Sequence, residues 1–193
     1  MPRMGLDISV ILLRAAEFVN EKGLDGISLG ELAKQLNIRT PSLYNHIDSL
    51  AALKQKLAIY SLNRLYERML QAAVGRTGDE AVYALSEAYV QFVRVNPGLY
   101  DAALRAPDPK DPELHLAQNQ IVDLVVKILS FYNMQDDKVL HTVRGLRSIL
   151  HGFASIESVG GFGLPLDLDV TFRMMIDTFL AGIHAQMKQE SHK

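Results

Sequence analysis

The sequence predicts an all-α protein. Three observations carry that expectation: apolar residues recur at spacings of three and four along most of the chain, no sustained period-two run bounded by turns appears, and the breaks fall at glycine or proline clusters. A coarse reading gives about nine helices. The first spans roughly Asp7 to Lys22, with Val10, Leu13, Ala16 and Phe18 expected inward, and Gly23 ends it. The second opens at Ser28, whose hydroxyl can cap the helix and whose third following residue, Glu31, has capping-box spacing; it closes near Leu36. A third, very short, covers about Thr40 to His46. The fourth starts at Asp48 or Ser49 and runs beyond Leu70.

"VGRTGDE", residues 74–80, supplies two glycines and a cap and is the best candidate for a boundary between structural units. Helix five continues to Asn96, where Pro97 and Gly98 force a stop and restart. "APDPKDPE" holds three of the chain's seven prolines and reads as an exposed loop. Beyond it, Leu114–Phe131, Asp136–Val159 and Asp167–Met187 read as long helices, the last two separated by "GGFGLPLD".

Composition narrows the function classes. With 193 residues the chain can bury a substantial core, and with no cysteine it has no disulfide, thiolate nucleophile or cysteine-ligated metal. No apolar run is long enough to cross a bilayer, and in "MPRMGLDISVILLRAAEFVN" charges crowd the apolar part too closely for a secretion signal. A soluble cytoplasmic protein is expected, with no membrane partner. The net charge of −2 argues against a protein that coats nucleic acid over its whole surface. Residues 1–70 nevertheless hold nine Lys/Arg against seven Asp/Glu, and residues 71–193 eleven against fifteen, the sign of a basic head on an acidic body.

The passage "ELAKQLNIRTPSLYNHI", residues 31–47, carries the chemistry. Two short helices joined by a few residues, with Leu32, Ala33 and Leu36 inward on the first and Leu43 and Ile47 on the second, form a helix-turn-helix. Ile38 plugs the corner. Thr40 is expected to cap the second helix, with Pro41 at its first position. If Leu43 and Ile47 face inward, the helical turn places Pro41, Ser42 and Asn45 opposite, with Tyr44 and His46 on the flanks. Such a short helix, held out with small polar and amide groups at its start, has the shape that enters a DNA major groove. Asn45 can pair with the adenine N6 and N7 edge, Arg39 can reach guanine or a phosphate, and Thr40 or Pro41 can touch a thymine methyl. Ser28, Tyr44 and His46 suit phosphates. By spacing alone a short interrupted helix in an ordinary bundle fits equally well.

The run from "RAAEFVNEKG" through "LDGISLGELAKQLNIRTPSLYNHIDSLAALKQKL" resembles the DNA-binding head of tetracycline-repressor (TetR) family transcription regulators over residues 12–57. The resemblance implies a DNA-binding domain at 1–48 and a helical ligand-binding and dimerisation domain at 49–193. It also implies a homodimer on a palindromic double-stranded DNA operator, acting as a repressor released by a small-molecule effector, with no cofactor, no metal and no enzymatic activity. Three positions depart from the family pattern. Asn37 stands where glycine is common, Ile47 where an aromatic follows the histidine, and Leu50 where a phosphate-binding lysine is usual; Lys54 and Lys56 are near enough to compensate. "YVQFVRVNPGLYDAAL" and "LRSILHGFASIESVGGF" resemble a C-terminal subgroup named for Trp, His and Gly. His151 and Gly152 are present, but Arg147 lies near the expected tryptophan.

In that domain Tyr83, Tyr89, Phe92, Tyr100 and Leu104, with His151, Phe153 and Glu157, describe either an ordinary core or an apolar pocket with a few polar groups. The resemblance favours a pocket for an apolar or aromatic effector. Met69, Met134, Met174, Met175 and Met187 are expected to make its interior adaptable. Small residues at Gly145, Ser148, Gly152, Ala154 and Ser155, then Ala181, Gly182 and Ala185, allow close helix contact, so the last two helices are assigned to a four-helix dimer interface. Two rival classes remain. An enzyme using His151 and Glu157 would need groups that a six-residue helical spacing turns about 240° apart, and His115, His141 and His184 lack metal-binding spacing. The other rival is a helical adaptor that binds only protein.

Overall fold

A computed structural model of the chain describes residues 7–190. Among them all regular structure is helical, and the elements fall into two compact units: residues 7–64 with 95–118, and residues 65–94 with 119–190.

The first unit contains α1 (Ile8–Lys22), a 3-10 turn (Leu24–Gly26), α2 (Leu29–Gln35), α3 (Thr40–Leu43) and the start of α4 (Leu50–Ala73). Asp7 caps α1 by accepting from the Val10 N–H at 3.0 Å. The buried stripe of α1 is Ile11, Ala15, Phe18 and Val19; at about 2 kcal/mol per fully buried large side chain, this face is what holds the helix in place. Leu13, expected inward, is 54% exposed. It lies two residues, roughly 200° of helical turn, from Ile11, so both cannot face one core. Gly23 closes the helix with φ +80°, its N–H donating to the Val19 carbonyl at 2.9 Å.

Ser28 caps α2 as its spacing predicts, accepting from the Glu31 N–H at 3.2 Å. Asn37 takes φ +53°, the left-handed turn conformation that asparagine tolerates almost as glycine does. α3 is shorter than predicted and Thr40 does not cap it. The extended cap backbone falls on Arg39, Thr40 is already helical, and Pro41 follows in the first turn, where a missing N–H costs nothing. Past Leu43 the chain continues as a turn whose His46 and Ile47 N–H groups both donate to the Leu43 carbonyl, at 2.9 and 3.0 Å.

The core of this unit joins Ile11, Leu32, Leu43, Ile47, Leu53 and Leu57 to Leu99 and Ala102 of α6 (Pro97–Leu104). α6 therefore packs as part of the base beneath the short helices. Its N-terminus is served from outside: Asn20 of α1 accepts from the Leu99 N–H at 3.0 Å and donates to the Asn96 side-chain oxygen at 3.2 Å. At its other end Arg105 holds Asp25 and Asp101, and the nearly buried Gln55 of α4 clamps the proline-rich loop through the Asp108 backbone and the Asp111 carboxylate.

The second unit contains the end of α4, all but the last residue of α5 (Gly78–Val95), the end of α7 (Pro112–Leu129), a 3-10 turn (Ser130–Tyr132), α8 (Asp136–Ser158) and α9 (Leu168–Glu190). α8 buries Val139, Val143, Leu146, Leu150 and Phe153, and α9 buries Phe172, Ile176, Leu180 and Ile183, each at the spacings of three and four that one helical face requires. Phe153 is the centre of an aromatic cluster, its ring 5.1 Å from Phe162 and 4.9 Å from Phe172. Of the methionines expected inside, Met69 is buried; Met174 is 63% exposed, because it lies two residues from both Phe172 and Ile176 and so points away from their face.

Candidate nucleic-acid interface and ligand-binding residues

The helix-turn-helix presents its polar groups because two apolar pins fix it. Leu43 and Ile47 are 0% and 1% exposed, while Pro41, Tyr44, Asn45 and His46 between and beside them are exposed and Ser42 is half-buried. Arg39 and Ser28 are also exposed, and Thr40 and Lys54 are half-buried. All nine residues singled out from the sequence thus lie at or near the surface of one unit. Lys34 is held by Glu31 across one turn of α2, and Arg39 lies exposed at the cap position of α3. Leu50 is half-buried and packs against the unit's core.

The residues singled out for a ligand are divided between the two units. Tyr100 is buried and Leu104 is 50% exposed in the first; Tyr89, Phe92, His151, Phe153 and Glu157 belong to the second. Glu157 accepts a two-pronged hydrogen bond from Arg94, at 2.9 Å from Nε and 2.8 Å from Nη2, and Arg94 also meets Asp169 at 2.7 Å. The bond to Glu157 outweighs burial and holds the Arg94 pKa above its ordinary value. His151 Nδ1 lies 3.3 Å from the Ser155 hydroxyl, one helical turn on.

Two features escape the sequence reading. Ser86 of α5 is fully buried and its hydroxyl has no hydrogen-bond partner among the described residues. Its position beside the buried faces of Tyr89 and Val90 is set by the helical repeat, but only packing decides that the hydroxyl is orphaned. The other is an open apolar groove of about 530 Å³ formed by the ends of α4 and α7 and the turn between α4 and α5. It shares no residue with the set chosen from sequence.

A reading turn pinned on a three-helix base, together with a helical second unit, defines a helix-turn-helix regulator of the two-part kind. Comparison with known proteins agrees. Residues 82–179 match the family described as tetracyclin repressor-like, C-terminal domain. The chain is 40% identical over 183 residues to the uncharacterized HTH-type transcriptional regulator YobS of Bacillus subtilis, covering 94% of this chain and 95% of that one. Among solved structures, a protein of unknown function from Rhodococcus sp. RHA1 superposes with a TM-score of 0.81 at 22% identity, covering 94% of this chain and 97% of that one. The Streptomyces coelicolor TetR family protein ActR, in complex with actinorhodin, gives a TM-score of 0.69 at 18% identity, with 94% and 98% covered. The chain belongs to the tetracycline-repressor-like family of transcriptional regulators.

Proposed function

We propose that the chain is a ligand-responsive repressor, cytoplasmic, which binds a palindromic DNA operator as a homodimer and is released by a small-molecule effector. The observation that carries the reading is the exposure of Pro41, Tyr44, Asn45 and His46 on a turn whose Leu43 and Ile47 are sealed in the core. In this reading residues 1–48 do the DNA reading, with Asn45 and Arg39 on base edges, Thr40, Pro41 and Ser42 in close groove contact, and Ser28, Tyr44, His46 and Lys54 on phosphates. Residues 49–193 bind effector and dimerise.

Support for a dimer through the last two helices comes from their outer faces. On α9 the exposed Val170, Met174, Ala181 and Ala185 follow one another at helical spacing, and Leu140 and Ile156 of α8 are 46% and 44% exposed. An apolar stripe of this kind is stabilised by burial against a second copy. Two-fold symmetry sets two reading turns about 34 Å apart on the duplex. Support for an effector within the second unit comes from the orphaned Ser86 hydroxyl, on the same buried stripe of α5 as Tyr89 and Val90, a donor that a ligand oxygen or nitrogen would satisfy. ActR, similar in fold, is a protein whose structure holds actinorhodin.

The mechanism is a shift of population: effector favours a dimer whose reading turns are wrongly spaced, so effector and operator disfavour each other by the same factor. α4, continuous from Leu50 to Ala73, runs from one unit into the other and is the lever. Selection from random duplex DNA tests the reading. An enriched palindrome bound by a species of dimeric mass supports it. No enrichment, or a monomer in sedimentation at micromolar concentration, rejects it.

A further inference from the structure

The groove in the second unit has a chemistry of its own. Its walls are Leu70 and Ala73 from α4, Leu124 and Ile128 from α7, and Phe131 from the turn that follows. Two cations, Arg76 and Lys127, lie among its lining residues and no acidic residue does. That balance runs against its surroundings, since residues 71–193 carry eleven Lys/Arg against fifteen Asp/Glu.

The groove is also built to stay open. The turn at its mouth bends through Gly75 at φ +75° and Gly78 at φ +55°, conformations that a side chain would strain. Phe131 lies directly over Gly78, where an added Cβ would come within 2.7 Å of the ring. Its ring also lies perpendicular to that of Tyr132, with centroids 5.4 Å apart. Tyr132 in turn donates to Asp79 at 2.6 Å, and Asp79 also holds His184 of α9 at 2.9 Å. Phe131 is 57% exposed and lines the groove.

The cations differ in availability. Arg76 donates to the Ala72 carbonyl at 2.6 Å and lies 3.2 Å from Glu80, so its charge is partly answered. Lys127, exposed in the last turn of α7, is the freer of the two, and its aliphatic stem can lie along the apolar wall with the ammonium at the rim.

We propose that this groove binds an amphipathic carboxylate, its alkyl or aryl chain lying along Leu70, Leu124, Ile128 and Phe131 and its acid group meeting Lys127 and Arg76. The cavity falls in the range of small-molecule sites, and the apolar trough with a cationic end matches a chain with an anionic end. The proposal does not rest on the DNA-binding reading, and its test involves no DNA.

The chain contains no tryptophan, so Val74→Trp, at a 68% exposed lining position, places a single tryptophan at the groove, whose emission is read under excitation that tyrosine does not absorb. Decanoate, decanol and decylammonium are titrated into this variant below their micellar concentrations, with calorimetry on the natural chain alongside. Decanoate is expected to shift the emission saturably and to bind about tenfold more tightly than decanol, with decylammonium weaker still. Adding Lys127→Glu is expected to weaken decanoate about tenfold and leave decanol within about threefold; Lys127→Gln should fall between. Far-ultraviolet circular dichroism verifies that each variant is folded. Equal affinity for decanoate and decanol, indifference to both Lys127 substitutions, or calorimetric binding without an emission shift would each overturn the proposal. So would an emission shift that grows with protein concentration alone and tracks a rise in sedimenting mass, which would assign the groove to a second copy of the chain.

Discussion

Gly98 of α6 lies so close to Val19 of α1 that a Cβ at Gly98 would come within 1.9 Å of the Val19 carbonyl oxygen and 2.3 Å of its carbonyl carbon. Both are backbone atoms near the end of a capped helix, so neither can move aside as a flexible side chain could. Gly98→Ala is therefore expected to destabilise the first unit by about 3 kcal/mol, the upper part of the range for overpacking. Urea denaturation of the variant, with hydrogen exchange of the α1 and α6 amides, measures it. Unchanged stability would mean that α6 is free to slide on α1.

Ser86 gives a prediction of opposite sign. A buried hydroxyl without a partner costs about 1–3 kcal/mol, so Ser86→Ala should raise the stability of the chain without ligand by about 1 kcal/mol. Under the proposed function the same substitution should weaken effector binding. Thermal unfolding with and without effector separates the two effects.

Arg94 and Glu157 form the best-buried ion pair described, with side chains 25% and 18% exposed. Removing one partner leaves the other's charge half-buried. Arg94→Met is expected to cost about 2 kcal/mol, less than a fully buried pair because solvent still reaches both groups. A double-mutant cycle with Glu157→Gln should return a coupling of about 1 kcal/mol.

The Tyr132–Asp79–His184 cluster predicts two limbs of pH dependence. Burial alone would raise the Asp79 pKa, but hydrogen bonds from Tyr132 and His184 prevail and hold it below its ordinary 3.8. The folded chain then binds this proton less readily than the unfolded one. Its contribution is complete above 3.8 and is lost as the pH falls through the lower folded value. Tyr132 behaves oppositely: burial first, then the bond to Asp79, pushes its phenol above the ordinary 10.0, so its contribution is complete below 10.0 and is lost as the pH rises through the folded value. Asp79→Asn should flatten the acid limb of a stability profile and Tyr132→Phe the alkaline limb. Urea midpoints across the pH range decide both.

Under the proposed function, two positions tune DNA binding. Asn45→Ala is expected to relax preference at one operator base pair, at a cost of about 1–3 kcal/mol on the preferred sequence. Leu50→Lys should add a phosphate contact and steepen the dependence of log affinity on log salt by about one unit, with some loss of stability because Leu50 packs on the core. Binding isotherms at several salt concentrations measure both slopes.

Much of this was legible in residue order. Spacings of three and four fixed which segments are helical, Gly23, Asn37 and Pro97 fixed where they bend or stop, and Ser28 fixed the start of α2, because caps and turns depend on a few consecutive residues. The pins Leu43 and Ile47, and the exposure of Asn45 between them, also followed from one turn of helix. Leu13 and Met174 did not, since periodicity shows that a helix has an apolar face and packing chooses which of two adjacent stripes is buried. The tertiary structure alone decided that α6 joins α1 across more than seventy residues of chain, that Arg94 finds Glu157, that Ser86 is sealed without a partner, and that an acid-free groove opens beside Phe131. Each is a meeting of groups distant in sequence, and a local pattern holds no information about which distant surface it will touch.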